Sequence, residues 1–556
     1  MDSTAPDILH LHSYFLFPFS IDKAAAQQDH TEIWAHRQHW IEGLDDWIAE
    51  HSGESQVAAA LGPWKRSAYS RFDIESQAYQ DMVFFHPFVR REFFDTGDST
   101  ATGSEALIRT YSIPVGNGCK LWLEAADRKG RCARVEVTDL RLFLFANGVG
   151  ILSIGVEAFH ISASDALWIN ESLRKVYPSS GRQIRESRVP CRMAFVVEKG
   201  GTLETVVEEH FEKGEMKGFC PPLSKTITDL LYFADYGRQE YEPVLDERMI
   251  VYSYFAIDPA AVLPEYIHSE EYRILYSRFL YVDRLGSDYR YEPAFTRDQM
   301  KRQMYTRWAH QGTLYGATSY SNVTGTIGAF DCDEHLLREG FLIHRMFDTR
   351  YYLMAMVALF YRTTLLMFAE RVALVSKQLF LDQEDNKLTL DNIRLANDLG
   401  AEFLHFSNYW YFDELANKDE EIEHFALQCQ EYRVVPMKGQ VEQEIEKMNS
   451  SLHTHYQFRN TEAVNRLAVV SLVIGAGAVL TGFFGMNFGR EFSDWVFEPS
   501  YAPPHLHYAL IFLVTLLAFG GLTFAILVIV SHWQDYRETF SRKAYVPRPT
   551  GGPPRR

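Results

Sequence analysis

Apolar and polar residues alternate with period two over much of the first half of the chain and recur every three or four residues over the second. Residues 134–140 read RVEVTDL, an alternation that predicts a strand. Residues 142–156 (LFLFANGVGILSIGV) form two apolar runs joined at Asn147-Gly148. That pattern predicts a β-hairpin with a type I′ turn, because Asn and Gly tolerate positive φ. Gly148-Val149-Gly150 lacks the third glycine and the following helix of a phosphate loop, so the turn is the better reading. Residues 193–197 and 249–257 are further strands, the latter closed by Asp258-Pro259. Between them, residues 165–176 predict a helix, with Ser164 placed to cap its start and Pro178 just past its end. Strands interleaved with helices over residues 1–330 predict an α/β domain.

From residue 331 the spacing turns helical, with apolar recurrence over 334–377 and 389–430, so 331–435 is expected to be a helical region. Pro436 suits the first turn of a helix, and no proline follows until Pro499. One helix can therefore run from Pro436 to Asn487, roughly 75 Å at about 1.5 Å per residue. Gly439 and the weakly amphipathic stretch 449–460 are its soft points, so it needs neighbours, most simply copies of itself.

Two runs in the last hundred residues carry no charge. Residues 467–484 (LAVVSLVIGAGAVLTGFF) are eighteen residues long, and residues 508–530 (YALIFLVTLLAFGGLTFAILVIV) are longer, with Trp533 beyond them at interface depth. Both read as membrane spans. A third apolar stretch, 351–375, is interrupted by Arg362, Glu370 and Arg371, and its longest uncharged run is eleven residues. That is too short to cross a bilayer and predicts a buried bundle helix. The expected order is a stalk over 436–466, a first span over 467–487, an outer loop over 488–507, a second span over 508–531 and a basic tail over 532–556. Arg459 and Arg466 precede the first span and Arg537, Arg542, Lys543, Arg548, Arg555 and Arg556 follow the second, whereas the loop holds only Arg490. By the positive-inside rule both termini are cytosolic, in an integral membrane protein expected at the plasma membrane.

Composition changes this picture little. The 556 residues are 47% hydrophobic and 23% charged, ordinary values that exclude global disorder. A mean hydropathy of −0.20 suggests a soluble protein only because the two runs are diluted in it. The net charge of −18 excludes nucleic acid as the main partner. Roughly −21 of it lies before the first span, which makes an acidic, cation-attracting cytosolic body. Six scattered cysteines form no C-x-x-C, which reads as buried, reduced, cytosolic thiols, and the N-terminus lacks the basic start of a signal peptide.

The first span ends Phe484-Gly485-Met486-Asn487-Phe488. A long cytosolic helix, a first span closing in Gly-Met-Asn, a short acidic outer loop, a second span and a basic tail resemble the CorA family of magnesium channels over about the last 120 residues. The resemblance implies a homopentamer in the bilayer, with Gly485, Met486 and Asn487 as its selectivity filter. Mg²⁺ sheds water reluctantly, so a ring of Asn487 amide oxygens accepting hydrogen bonds from its hydration shell is suitable chemistry. Val464, Leu467, Ser471, Gly475, Ala478 and Gly482 share a helix face and are the candidate pore lining. Small residues from Ser471 outward leave room for a hydrated ion, and Val464 and Leu467 make an apolar constriction. Gly477 and Thr481 mark a rival face. Magnesium channels of this family often carry bulkier residues near Gly475.

Glu491, Asp494 and Glu498 would raise the cation concentration at the mouth. The resemblance also implies feedback by cytosolic Mg²⁺, for which Asp331, Asp333, Glu334, Asp419, Glu420, Glu421 and Glu423 are candidates. The sequence expectation is thus an α/β cytosolic domain, a long helical stalk and two C-terminal transmembrane helices, passing Mg²⁺ (with Co²⁺ or Ni²⁺ as further cargo) without a cofactor. Alternatives are a ZntB-like zinc transporter, for which His505 and His507 offer softer ligands, and a membrane-anchored sensor that does not transport. An enzyme is not expected. No Walker sequence is present, and His30, His36 and His39 lack a matched carboxylate or cysteine set.

Overall fold

The computed structural model describes residues 6–21, 45–68, 81–95, 107–116, 118–177, 190–211, 221–245, 248–285, 291–328, 342–384, 390–485 and scattered positions from 512 to 527. Among them, thirteen strands build one mixed sheet: β1 (Ile8–Ile21), β2 (Lys65–Arg66), β3 (Ile108–Ser112), β4 (Cys119–Ala126), β5 (Cys132–Phe145), β6 (Val149–Ile161), β7 (Arg192–Lys199), β8 (Thr202–His210), β9 (Tyr241–Pro243), β10 (Ile250–Ile257), β11 (Met304–Tyr305), β12 (Thr313–Ala317) and β13 (Ser321–Ile327). Their order is β11-β12-β13-β10-β1-β6-β5-β4-β7-β8, with β3 also on β5, β2 on β3 and β9 on β1. β10 and β13 pair in parallel, and β1 pairs antiparallel with both β10 and β6.

β1 lies inside the sheet and is buried along nearly its whole length. Period-two geometry divides it into two faces. Leu11, Phe15, Phe17 and Phe19 join the main apolar core with Leu152, Ile154 and Val156 of β6 and Val251 and Phe255 of β10. Two helices cover this face. Asn170 of α1 (Ala163–Leu173) accepts a hydrogen bond from Ser13 at 2.8 Å, and Phe279 of α2 (Glu270–Tyr281) stacks on Phe255 at 4.1 Å. The opposite face presents His10, His12 and Tyr14. A helix beginning at Leu342–Met346 covers it, passes through a π-helical turn, Phe347–Tyr351, and continues as α3 (Tyr352–Glu384). Tyr352 donates to Ser153 Oγ at 2.7 Å, and Phe360 stacks on Phe145 at 4.2 Å.

The expected hairpin is present as β5–β6, but its turn differs. The amide of Gly148 donates to the Phe145 carbonyl at 2.9 Å, and Gly148 takes the positive φ, +91°, while Asn147 does not. This is a three-residue loop closed by glycine rather than a type I′ turn. Asn147 is left to accept from the Val149 amide at 3.1 Å and to donate to Thr364 of α3 at 2.9 Å, pinning the hairpin tip to the helix. The cap of α1 is Ser162, whose Oγ accepts from the Asp165 amide at 3.1 Å, and not Ser164. The helix begins two residues before the expected start, and the Ncap position moves with it.

The stretch 389–430 is not one helix. α4 (Leu390–His405) ends in a second π-helical turn, Phe406–Trp410, and α5 (Asp419–Glu431) starts afresh after extended chain. Arg433, at φ +55°, separates α5 from α6 (Val434–Gly485), a single helix with Pro436 in its first turn. By length and composition one helical stretch among the described residues, Ile343–Phe380, could cross a membrane, and 72% of its apolar window is buried in the protein. It is the interrupted stretch expected to be a core helix. The chain divides into two compact units, Met1–Glu446 and Lys447–Arg556, with the division inside α6. A mixed-sheet domain with long helices is therefore shown.

Gly150 faces Phe19 so closely that an added Cβ would lie 2.2 Å from the ring. Gly150→Ala is expected to destabilise the fold by about 1–3 kcal/mol through overpacking. Gly53→Ala, whose Cβ meets open space, should be near neutral. Thermal melts of the two variants check this; an unchanged midpoint for Gly150→Ala would contradict the close packing.

Candidate functional site

α6 carries the expected pore residues on one unbroken helix, so the spacing of Val464, Leu467, Ser471, Gly475, Ala478 and Gly482 does place them on a common face. Val464 and Leu467 are each 58% exposed, and Ser471, Gly475 and Ala478 are exposed too. Exposure is not confined to that face: Val469, on the far side of the helix, is also exposed, as is Ile474 at the edge of the face beside Leu467. On the rival face, Thr481 donates to the carbonyl oxygens of Gly477 and Ala478 at 2.9 and 3.1 Å, so its hydroxyl proton is used within its own helix. Gly485 is the last described residue of α6. Met486, Asn487, Glu491, Asp494, Glu498, His505 and His507 lie outside the described residues, as do Asp331, Asp333, Glu334, His30, His36 and His39. In the second apolar run, Phe512, Leu513, Leu516, Phe524 and Leu527 are helical and exposed.

The acidic run of α5 is held by protein partners. Asp419, Glu420 and Glu421 occupy the first turn, where the helix dipole favours carboxylates. Glu421 is 2% exposed and pairs with Arg350 of the π-turn at 3.1 Å. Glu420 accepts from the Tyr351 hydroxyl at 2.8 Å. Glu423 accepts from Tyr305 and pairs with Arg307 at 3.2 Å. Asp419 stands exposed at the helix start. Behind them His424 is enclosed by the rings of Tyr305, Tyr315 and Tyr351, with centroids 4.2–4.7 Å away. Burial pushes its pKa down to about 3, so it is neutral near pH 7.

The densest polar chemistry lies under the π-turn. His10, His12 and Tyr14 point from β1, Glu157 from β6, Asp139 and Arg141 from β5, and His344 and Asp348 from the covering helix. His12 Nδ1 is 2.8 Å from His344 Nε2 and 3.2 Å from Glu157 Oε1. His10 Nε2 and His344 Nε2 are each 3.7 Å from the same Glu157 oxygen. Tyr14 donates to Asp348, and Arg141 pairs with Asp139 at 2.5 Å while its guanidinium lies 5.0 Å from the centre of the Tyr352 ring. Burial pushes His12 down to about 4 against the pull of Glu157, and lifts the Asp139 carboxyl to about 6 against the pull of Arg141. Burial would raise Asp348 as well, but His12, Arg141 and Tyr14 outweigh it and hold that carboxyl below its usual range.

The chain matches no protein-family model, no curated protein and no solved structure. Its own residues therefore carry the functional argument.

The buried layer is what sequence reasoning missed. Its signal was present: His10-x-His12-x-Tyr14 within an apolar strand puts three polar side chains on one face. The partners Glu157 and His344 are far off in sequence and could not be matched to them without the fold. Cys119, Cys191 and Cys429 are half-buried and Cys132 is exposed, so none of these four has the expected full burial; Cys220 and Cys332 lie outside the described residues.

His424 generates a pH prediction. The unfolded chain takes up this proton near pH 6.5, whereas the folded protein resists it down to about 3. Between those values the unfolded state binds more protons, so stability falls as pH is lowered, by up to about 4 kcal/mol. Melting midpoints across that range should show the loss, and His424→Phe should flatten the slope. An unchanged slope would place the titration elsewhere.

Proposed function

We propose that the protein is a CorA-like divalent cation channel of an integral membrane homopentamer, passing Mg²⁺ into the cytosol. The observation that carries this reading is a contrast between two apolar helices. Ile343–Phe380 is apolar and buried against the sheet. The apolar part of α6 has Val464, Leu467 and Ile474 exposed on one side and Val469 exposed on the opposite side, and leads directly to Gly485-Met486-Asn487. Large apolar side chains exposed on opposite sides of one helix call for lipid or copies of itself.

In this reading the 508–531 run is the second span, and Asn487 amides ring the outer mouth and hold the hydrated ion. Glu491, Asp494 and Glu498 concentrate cations there. The face from Val464 to Gly482 lines the pore, with the apolar constriction at its inner end. An inside-negative potential drives a divalent ion inward by roughly 4.6 kcal/mol for each ~100 mV, so no nucleotide is needed.

Flux of Mg²⁺ and Zn²⁺ into proteoliposomes, with and without an imposed potential, tests this. Wild type should pass Mg²⁺ in proportion to potential, and Asn487→Ala should lower that flux by about tenfold, the effect of roughly 1.4 kcal/mol on the barrier. Absence of flux for either ion would leave an anchored sensor. Zinc flux that requires a pH gradient would point to the ZntB-like alternative. A second comparison separates the two helix faces: Gly475→Leu should block flux and Gly477→Leu should spare it. Neither added Cβ meets another atom of the protomer, so both variants can fold.

A further inference from the structure

Donor atoms of His10, His344 and Glu157 all lie within 4.8 Å of one another, and all three residues are buried. They come from β1, β6 and the helix after residue 341, so only the folded sheet domain assembles them. His12, opposite Glu157 in the β1–β6 register, places its Nδ1 against two of the three. The set is three imidazoles and one carboxylate. Such nitrogen-rich ligands suit Zn²⁺ and its first-row neighbours, and do not suit Mg²⁺, which demands oxygen.

The separations fit as well. Metal–ligand bonds of about 2.0–2.1 Å in a tetrahedron set its ligand atoms roughly 3.3 Å apart. Four distances within this cluster, 2.8, 3.2, 3.7 and 3.7 Å, straddle that edge, while the His10 and His12 rings stand farther apart, with centroids at 6.3 Å. Binding needs the His12–His344 hydrogen bond to open by a few tenths of an ångström, the two longer gaps to close by a similar amount, and the His10 ring to swing toward His12.

We infer that His10, His12, His344 and Glu157 form a buried Zn²⁺ site that clamps the helix running through the Phe347–Tyr351 π-turn onto β1 and β6. The site goes beyond the proposed transport and does not depend on it. Its ion differs in class from the hydrated Mg²⁺ expected at Asn487. Its position fastens that helix to a central strand of the sheet, so loading stiffens the seam between them.

The test uses the full-length protein in detergent, stripped with a chelator and titrated with Co²⁺ and then Zn²⁺. Wild type should bind one equivalent of Co²⁺ with the intense visible absorption of a tetrahedral site, and Zn²⁺ should displace it and raise the melting midpoint. His10→Ala and His344→Ala should lose the absorption. Glu157→Gln, nearly the same shape and so able to keep the fold, should weaken Zn²⁺ binding by at least about tenfold. Asn487→Ala should keep the signal, so failure of the pore reading and failure of this one are distinguishable. No tetrahedral absorption in wild type would overturn the inference. So would absorption that survives in the three cluster variants, which would place the metal on other histidines. If an alanine variant does not fold, Glu157→Gln decides alone.

Discussion

The burial of β1 on both faces governs the sheet domain. A strand between two antiparallel neighbours has its backbone satisfied, but every side chain must then find a solvent-free partner. One face of β1 is apolar and needs only packing, supplied by α1 and α2. The other bears His10, His12 and Tyr14, which carry hydrogen-bonding groups into the interior. Those groups demand polar neighbours within reach, and Glu157, His344 and Asp348 are set beside them. The covering helix is therefore held by specific polar contacts as well as by apolar area.

That requirement accounts for the irregular start of the helix. The π-turn at Phe347–Tyr351 has more residues per turn than an α-helix, which widens the buried face. His344, Phe347, Tyr351 and Tyr352 are all buried as a result. Arg350, on the same turn, reaches Glu421 of α5, so one irregular segment ties the sheet layer to the acidic helix beyond it. The acidic run, read from sequence as a cation-sensing candidate, is in the fold largely a set of partners for Arg350, Tyr351, Tyr305 and Arg307.

The two apolar helices show how similar composition serves opposite ends. α3 has Arg362 and Arg371 within it; Arg362 donates to the Ser319 carbonyl and Arg371 binds Glu402 at 2.5 Å. Those polar anchors suit a helix surrounded by protein. The apolar part of α6 has no charge between Leu467 and Phe484 and leaves Val464, Leu467, Val469 and Ile474 exposed. The proposed pore and the buried histidine layer thus lie on different elements and use different chemistry: neutral amides for a hydrated ion, and imidazole nitrogens for a bare one.

The sequence by itself determined the class of several elements. Period-two alternation marked the β5–β6 hairpin and the β7 and β10 strands, proline spacing marked α6, and the charges within 351–375 marked a core helix. These are local signals, read from residues adjacent in the chain. Gly148 was legible as a turn glycine, but the turn type was not, because it depends on Asn147 reaching Thr364 more than two hundred residues away. The break between α4 and α5, the Ser162 cap and the convergence of His10, His12, Glu157 and His344 were likewise decided by tertiary structure. Polar groups brought inside must be satisfied by whatever the fold sets beside them, and that neighbour is not written in local sequence.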